Sequence, residues 1–498
     1  MKIVTASQMA ELDHRTVQEK KISEKRLIAN AGKAAADWIT SHFHPKSRQI
    51  WVLAGKGHNG ADALVAAQWL KKRSYTVKIF KAEEVGIIKN LQKQIAQIHE
   101  SKPSILFMDG LFGTGLSRSL AEPWLSLIKA LRASRIEIIS LDIPSGLHAD
   151  EGRPLGDSIH ARYTLAFGLP KLGLVQDHAA DQVGELHVLD IGFPEDLVEE
   201  IRTPYDLIDP ESVAPFFRPR PRSIHKGNLG RVLVLGGSVG FAGAPVMAAR
   251  AALRMGAGLV NLVVPASIYS IAASLAGPEI MVMPCEDLGS GHFSHQSLLK
   301  IQTLLSLSNA VVLGPGMGLY SEARPFVESL LTASLIPLVL DADGLNLISD
   351  HPSILCQAKQ EIIITPHPGE MGKLMGKNTK EVQEDRFGIS GNFVKNYRVT
   401  VVLKGARTII AHPEPISIPS HQDGIRFSVN ALAGNPGMAT GGCGDVLSGI
   451  LGALLARGLT SADAARCGVF LHARAGDLAL PETGGGIASD LIEALPWA

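Results

Sequence analysis

The sequence predicts an α/β protein of two domains, residues 1–210 and 211–498. Three observations carry that expectation. Short apolar runs alternate with helical patterns in both halves, which implies parallel sheets covered on both faces. The segment Thr203–Arg222, TPYDLIDPESVAPFFRPRPR, holds five prolines and little periodicity, and reads as a linker. Among 498 residues there are 50 glycines and only 5% aromatics, a composition of small residues and tight turns rather than of a coiled coil or a disordered chain.

The elements follow in chain order. Thr5–Gln8 (TASQ) has the form of a capping box and opens a helix carrying Met9, Leu12 and Val17. A second helix starts near Ser23, with Leu27, Ile28, Ala31, Ala35 and Trp38 at helical spacing. The strand IWVLAG, a glycine turn and the helix ALVAAQWLKKR come next, then the strands YTVKIF, SILFMDG, IEIISLD and YTLAFG, with ELHVLDIG as a late edge strand. Beyond the linker the strands RVLVLGG, LVNLVV, AVVLGPG, LVLDADG, EIIITP and VTVVLKG alternate with helices. The hairpin-like strands RTIIAH, ISIPS and IRFSVN follow, and helices begin near Ala439, Ser461 and Ile487.

Charge and cysteine usage narrow the class. Basic and acidic residues balance at 26 each up to Pro210 and 22 each after it, without the excess of a general nucleic-acid binder. The four cysteines, Cys285, Cys356, Cys443 and Cys467, lie far apart, with no zinc or redox spacing. They fit a reducing compartment, and a cytoplasmic protein is expected. The N-terminus has charges throughout and no apolar signal core. The uncharged stretch Met255–Pro278 is interrupted by Gly256, Gly258, Asn261 and Pro265, and reads as strand, turn and helix rather than a membrane span.

In the first half three loops follow three strands: GKGHNGADAL (Gly55–Leu64), DGLFGTGLSRS (Asp109–Ser119) and DIPSGLHAD (Asp142–Asp150). Ligands of open parallel sheets bind at the carboxyl ends of strands. A glycine turn feeding a helix offers free N–H groups to phosphate, and Arg118 adds charge to a second glycine loop. Each loop alone also fits a structural turn or a helix cap. Their recurrence on one sheet, with Asn59, Asp62, Asp109, Asp142 and Ser145, gives an oxygen set suited to a hard cation.

GKGHNGAD, DGLFGTGL and DIPSG resemble the N-terminal domain of bifunctional NAD(P)H-hydrate repair enzymes, over roughly residues 1–200. The resemblance implies epimerisation of hydrated NADH or NADPH at carbon six of the nicotinamide ring. It implies potassium at Asn59, Asp109 and Ser145. The hydrated dinucleotide would lie along His58, Asn59, Gly60, Ala61 and Asp62 and along Gly113, Thr114, Gly115, Leu116, Ser117, Arg118 and Ser119, with Asp142 at the reacting centre. Against the family form GxGNNGGDG, His58 replaces an asparagine, and Ala61 and Ala63 replace glycines.

The second half holds the strongest motif, GNPGMATGGCGDVLSG at Gly434–Gly449. The N–H groups of Gly442, Cys443 and Gly444 would point at one spot and stabilise charge on a transferred phosphoryl group. Asp445, at the helix start, could take a proton from a hydroxyl. GPGMG (Gly314–Gly318), DADGLN (Asp341–Asn346), TPHPGE (Thr365–Glu370) and KGART (Lys404–Thr408) end four more strands, and together indicate a nucleotide site. No GxxxxGKS loop is present, which excludes a P-loop nucleoside triphosphatase.

GNPGMATGGCGD resembles the anion-hole motif of the ribokinase-like superfamily. With HKGNLGRVLVLGGSVGFAGAP and the four loops it resembles the NAD(P)H-hydrate dehydratase domain, over about residues 220–490. The two resemblances imply a Rossmann-like three-layer αβα domain followed by a ribokinase-like α/β domain. They imply nucleotide contacts at Lys404, Gly405, Ala406, Arg407, Thr408 and Gly444, and hydrated-nicotinamide contacts at Ala244, Gly316, Gly318, His367 and Asp445. ADP with magnesium is the expected co-substrate, dehydration of the S hydrate to NAD(P)H with release of AMP and phosphate the expected reaction, and a homo-oligomer the expected assembly. No nucleic-acid or membrane partner is expected. A ribokinase-like small-molecule kinase with an N-terminal binding module is the alternative, distinguished by a stable phosphorylated product.

Overall fold

Each central strand is apolar on both faces, and this dictates a layered arrangement. In the first strand Ile50, Val52 and Ala54 pack into one apolar cluster while Trp51 and Leu53 pack into another. With side chains alternating by residue, that pattern needs helices on both sides of the sheet. The computed structural model describes residues 1–84, 86–97, 105–414 and 424–498, and the chain divides into two compact units, Met1–Leu207 and Ile208–Ala498.

In the first unit the strands are β1 (Gln49–Ala54), β2 (Thr76–Lys81), β3 (Ile105–Gly110), β4 (Glu137–Leu141), β5 (Tyr163–Phe167) and β6 (Glu185–Leu189). They run parallel in the order β2-β1-β3-β4-β5-β6, with β6 at the edge as expected. The order reverses between β1 and β3, which opens a crevice at their carboxyl ends. The helix Ala6–Lys20 begins with the expected capping box: Gln8 N–H donates to Thr5 Oγ1 (3.2 Å) and Thr5 N–H to Gln8 Oε1 (2.9 Å). A short strand, β7 (Tyr205–Leu207), outside this six-stranded sheet, is the last element before the chain passes to the second unit.

The second unit holds β8 (Arg231–Leu235), β9 (Leu259–Pro265), β10 (Met281–Cys285), β11 (Ala310–Leu313), β12 (Leu338–Leu340), β13 (Ile362–Ile364), β14 (Thr400–Leu403), β15 (Thr408–Pro413) and β16 (Ile425–Asn430). Their order is β10-β9-β8-β11-β12-β13-β14-β15-β16. All pairs are parallel up to β14, and β14–β15–β16 are antiparallel, as the hairpin-like sequence foretold. The switch point here lies between β8 and β11. The helix Cys443–Ala456 is buried around nearly its whole circumference, which suits its apolar sequence VLSGILGALLA.

Three details depart from the sequence expectation. The segment read as a linker is largely ordered: it contains β7 and a helical turn, Pro210–Val213, with an Asp209 capping box, and Ile208 and Val213 join the second unit's core. Edge strand β10 (MVMPC) was not expected; an internal proline and exposed positions mask its pattern. The helix after the first glycine turn starts at His58, so Asn59 and Asp62 ride on its first turns. The expected strand ISIPS lies outside the described residues.

The second unit's central helix depends on glycine at one point. A Cβ on Gly449 would stand 2.0 Å from the carbonyl oxygen of Ala248, on the neighbouring helix Gly243–Arg254. Gly449→Ala is expected to destabilise this unit by about 1–3 kcal/mol through overpacking. Gly441→Ala, in open space, serves as control. Equal thermal midpoints for the two variants would show that the helices can separate at no cost.

Candidate functional site

The first unit's site is assembled by close approach of two loops. A Cβ on Gly55 would stand 1.9 Å from the carbonyl oxygen of Leu111, and one on Gly60 would stand 2.0 Å from that of Gly55. Only glycine lets the β1 loop lie against the β3 loop. Asn59, buried on the helix's first turn, donates Nδ2–H to the Phe112 carbonyl at 2.7 Å, while its Oδ1 is buried without a hydrogen bond. Asp109 ends β3 with no exposed surface. Its Oδ1 accepts from Ser145 Oγ (2.6 Å) and Leu111 N–H (3.2 Å), and its Oδ2 from Ser145 N–H and Ser140 Oγ, both at 2.9 Å. Ser145 Oγ in turn accepts from Phe112 N–H at 2.9 Å. Asn59, Asp109 and Ser145 therefore meet around one cluster of oxygens, and the orphaned Asn59 oxygen calls for a donor or a cation.

Asp142 stands at the end of β4 with φ of +61°, a left-handed conformation costing on the order of 1 kcal/mol. It is held there by Phe167 N–H (3.1 Å) and by the ammonium of Lys171, which also donates to the Phe167 carbonyl at 3.1 Å. Lys171 is 1% exposed, so the pair is an internal one. Asp62 faces the same place. Burial pushes its carboxyl up to about 8, the negative charge of Asp142 adds to the rise, and Lys171 opposes it. Asp13 is pushed up to about 6, again chiefly by burial, with Lys171 opposing and Asp142 reinforcing.

Sequence reasoning missed Lys171 and Asp13. Asp13 looks like one charge on an amphipathic helix. Lys171, in GLPKLGLV, left one usable signal: a lone lysine inside an apolar run. The remaining expected residues are more peripheral. His58 is exposed, with Nε2 at 2.5 Å from Glu24 Oε1. In the loop Gly113–Ser119 the residues Gly115, Ser117, Arg118 and Ser119 are exposed, and Leu116 N–H closes a turn on the Gly113 carbonyl at 3.3 Å. The next helix begins only at Trp124, so this loop lacks a helix N-terminus.

In the second unit the loops after β8 and β11 border the switch point. A Cβ on Gly316 would stand 3.2 Å from Ala244 Cβ, so these two residues face each other. Gly316 and Gly318 have φ of +61° and +85°. Ser238 Oγ donates to the Gly316 carbonyl and Gly318 N–H to Asp343 Oδ2, both at 2.9 Å.

The ends of β12, β13 and β14 bring charge together. Lys404 donates to Asp341 Oδ1 at 3.0 Å, with Glu370 Oε2 at 3.9 Å. Its Nζ lies 3.4 Å from where a Cβ on Gly444 would be, which sets the cation over the start of the helix Cys443–Ala456. Asp445, on that first turn, is pushed up to about 7, mainly by burial, then by Asp341, with Lys404 opposing. Glu370, also pushed up to about 7 by burial, accepts His367 N–H at 2.8 Å. His367 caps the helix Pro368–Met375: its Nδ1 accepts from Gly369 N–H (3.0 Å) and Glu370 N–H (3.3 Å). Two N–H groups aimed at Nδ1 leave the proton of the neutral ring on Nε2, which lies 3.5 Å from Glu370 Oε1.

The KGART loop divides. Gly405 and Ala406 are exposed, and Thr408 Oγ1 donates to the Gly405 carbonyl at 3.0 Å. Arg407 is turned inward: its guanidinium is buried and donates to the Ala431 carbonyl. Arg386, unnoticed in the sequence, ties the loop down by donating to the carbonyls of Leu403 (2.9 Å) and Lys404 (3.2 Å).

The raised carboxyl of Asp62 has a consequence for stability. A carboxyl whose folded value lies above its unfolded one costs stability increasingly as pH rises from the unfolded value to the folded one, and the full cost persists above that. Asp62→Asn is expected to raise the thermal midpoint of the first unit, with a larger gain at pH 7 than at pH 5, measured by calorimetry. A loss at both pH values would mean that the fold stabilises the ionised carboxylate.

Comparison with known proteins adds the lineage. Residues 232–496 match the family model described as NAD(P)H-hydrate dehydratase, and residues 24–173 match that of the YjeF-related protein N-terminus. The bifunctional NAD(P)H-hydrate repair enzyme Nnr of Moorella thermoacetica is 36% identical, covering 100% of this chain and 96% of the relative. Those of Coxiella burnetii (36%; 98% and 97%) and Escherichia coli (34%; 94% and 88%) are similar over comparable spans. A ribokinase-like superfamily protein from Enterococcus faecalis V583 superposes with a TM-score of 0.50 at 24% identity, covering 59% of this chain and 95% of its own, and shares the second unit's fold. The chain belongs to the family of bifunctional NAD(P)H-hydrate repair enzymes.

Proposed function

We propose that the two sites divide one repair. The first unit epimerises the R and S hydrates of NADH and NADPH, and the second dehydrates the S hydrate with ADP. The observation that carries the second assignment is the ammonium of Lys404 held over the glycine-rich start of the helix bearing Asp445.

In the second site Lys404, with Gly405, Ala406, Thr408 and Gly444, binds the nucleotide phosphates. Arg407 serves the loop's shape through Ala431. Ala244, Gly316, Gly318 and His367 hold the hydrated nicotinamide, with His367 donating from Nε2. Asp445 takes the proton of the ring hydroxyl, whose oxygen attacks the terminal phosphorus of ADP; the bond to AMP breaks. N–H groups at the helix start stabilise the transferring phosphoryl. The ring nitrogen then expels phosphate from carbon six, and loss of a proton from the adjacent carbon restores the dihydropyridine. Hydroxide, a poor leaving group, is thereby exchanged for phosphate. Among the described residues no group of three or more His, Cys, Asp or Glu is placed to hold a metal. Magnesium would arrive on the phosphates, and no step above depends on it.

In the first site the unpartnered Asn59 oxygen, with Asp109, Ser145 and the Phe112 carbonyl, fits a potassium ion. A bound cation there would neutralise nearby negative charge and order the loops. The dinucleotide lies along His58–Asp62 and Gly113–Ser119, with carbon six at Asp142. Lys171 keeps Asp142 in place, and Asp62 supplies a protonated carboxyl beside it. Exposed apolar side chains at Ile271, Leu275 and Met281 support a homo-oligomer. The free cysteines support a reducing, cytoplasmic setting. Among the described residues no helix is long and apolar enough to cross a membrane.

Asp445→Asn is expected to lower ADP-dependent dehydration by about 10²–10⁴-fold while sparing epimerisation. Because the base works ionised, the wild-type rate should fall as pH drops through about 7. A loss under threefold, or a flat profile down to pH 5, would remove Asp445 from the mechanism.

Asp142→Ala separates the two halves. Given equal amounts of both epimers and ADP, the wild type should consume nearly all the hydrate quickly. The variant should consume about half, then slow to the spontaneous epimerisation rate, because a chiral pocket accepts one stereoisomer. Clearance of both epimers at the wild-type rate, followed by chromatography, would place epimerisation elsewhere.

A further inference from the structure

We infer that Asp341 is a positioning residue for dehydration: its carboxylate pins Lys404 and the helix bearing Asp445 to each other. The inference rests on the proposed roles of Lys404 and Asp445. Asp341 directly follows β12 and is 1% exposed. Its Oδ1 accepts from Thr365 Oγ1 at 2.7 Å and Lys404 Nζ at 3.0 Å, and its Oδ2 from Ser448 Oγ at 2.6 Å. Thr365 follows β13, Lys404 follows β14, and Ser448 lies three residues beyond Asp445 on the central helix. One carboxylate thus joins the ends of three adjacent strands to the helix that starts at the glycine loop.

The geometry gives Asp341 two effects. It fixes the direction of a flexible lysine, since the other carboxylate near Lys404, Glu370, stands off at 3.9 Å. It also sets the charge around Asp445. The groups facing Asp445 are Asp341, Lys404, Asp343 and Glu370, with Cys443 on its own helix and His472, whose Nε2 meets the Cys443 carbonyl at 2.9 Å. Asp341 leads these neighbours in opposing ionisation of Asp445. Removing its charge should make Asp445 more acidic, whereas removing only a hydrogen bond should not.

The test uses the full chain. Asp341→Asn keeps shape and loses charge: the acid limb of the dehydration rate should move down by about one pH unit, and KM for ADP should rise about tenfold. Combined with Lys404→Ala, the effects should be markedly less than additive, because Asp341 acts through Lys404. Ser448→Ala, which keeps the charge, should leave the acid limb in place. If Asp341→Asn does not fold, Asp341→Glu supplies the answer: limb retained, KM for ADP raised. An unmoved limb with additive losses, or an unchanged KM in Asp341→Glu, would overturn the inference. If Lys404→Ala and Asp445→Asn themselves leave dehydration intact, the underlying reading falls, and the inference with it; the two failures are therefore distinct.

Discussion

A carboxylate taken out of water is costly unless donors surround it, and each unit of this chain buries one at the end of a central strand. Asp109 follows that rule in the first sheet, with four donors from Leu111, Ser140 and Ser145. Asp341 follows it in the second, with Thr365, Lys404 and Ser448. In both cases the donors come from different segments, so satisfying the charge forces loops together that are distant in sequence. The sites are by-products of that requirement. Asn59 is carried to Phe112 in one, and Gly444 is carried under Lys404 in the other.

Confinement then sets the proton chemistry. Asp62, Asp445 and Glu370 are all pushed up mainly by burial, to about 8, 7 and 7. Each lies near one internal lysine, Lys171 or Lys404, and near other carboxylates. A lysine alone would hold a neighbouring carboxylate ionised; desolvation and like charge work against it. The balance leaves carboxyl groups that can exchange a proton near neutral pH, which acid–base chemistry requires. Perturbed groups of this kind concentrate where function does.

Much of this was legible in the sequence because it was local. A glycine that must admit a neighbouring backbone, as at Gly55 or Gly60, announces itself within a short motif, and so does the acidic residue that follows it. Alternating apolar strands foretold both sheets and the antiparallel β14–β16 edge. What stayed hidden was tertiary. Lys171 reaches Asp142 across 29 positions and Arg386 reaches the Leu403 carbonyl across 17, and no spacing rule links such pairs. Glu370 was in view within TPHPGE, but only burial distinguishes it from an ordinary cap. Arg407 runs the other way: a basic residue in a phosphate-loop motif points to a ligand, and its guanidinium is turned inward to the Ala431 carbonyl. The proline-rich segment misled because prolines mark helix starts as well as linkers; at Pro210 the ring occupies the first helical position after the Asp209 cap.

The second unit shares its fold with ribokinase-like proteins, and its proposed chemistry follows from what that arrangement does well. A helix start with free N–H groups, a lysine over it and a base on its first turn stabilise charge on a phosphoryl group moving to a hydroxyl. In that set Asp445 is the proposed base, and Lys404 is already engaged by Asp341. Direct acid-assisted loss of water would need a donor aimed at the hydroxyl oxygen. Asp445, proposed to start phosphoryl transfer in its ionised form, cannot fill both roles at once. Phosphorylating the hydroxyl removes the need for that donor, because phosphate leaves without being protonated by the protein. In the proposed mechanism the dependence on a nucleotide is then a consequence of which groups the fold places at the strand ends: they provide for phosphoryl transfer, and dehydration is reached through it.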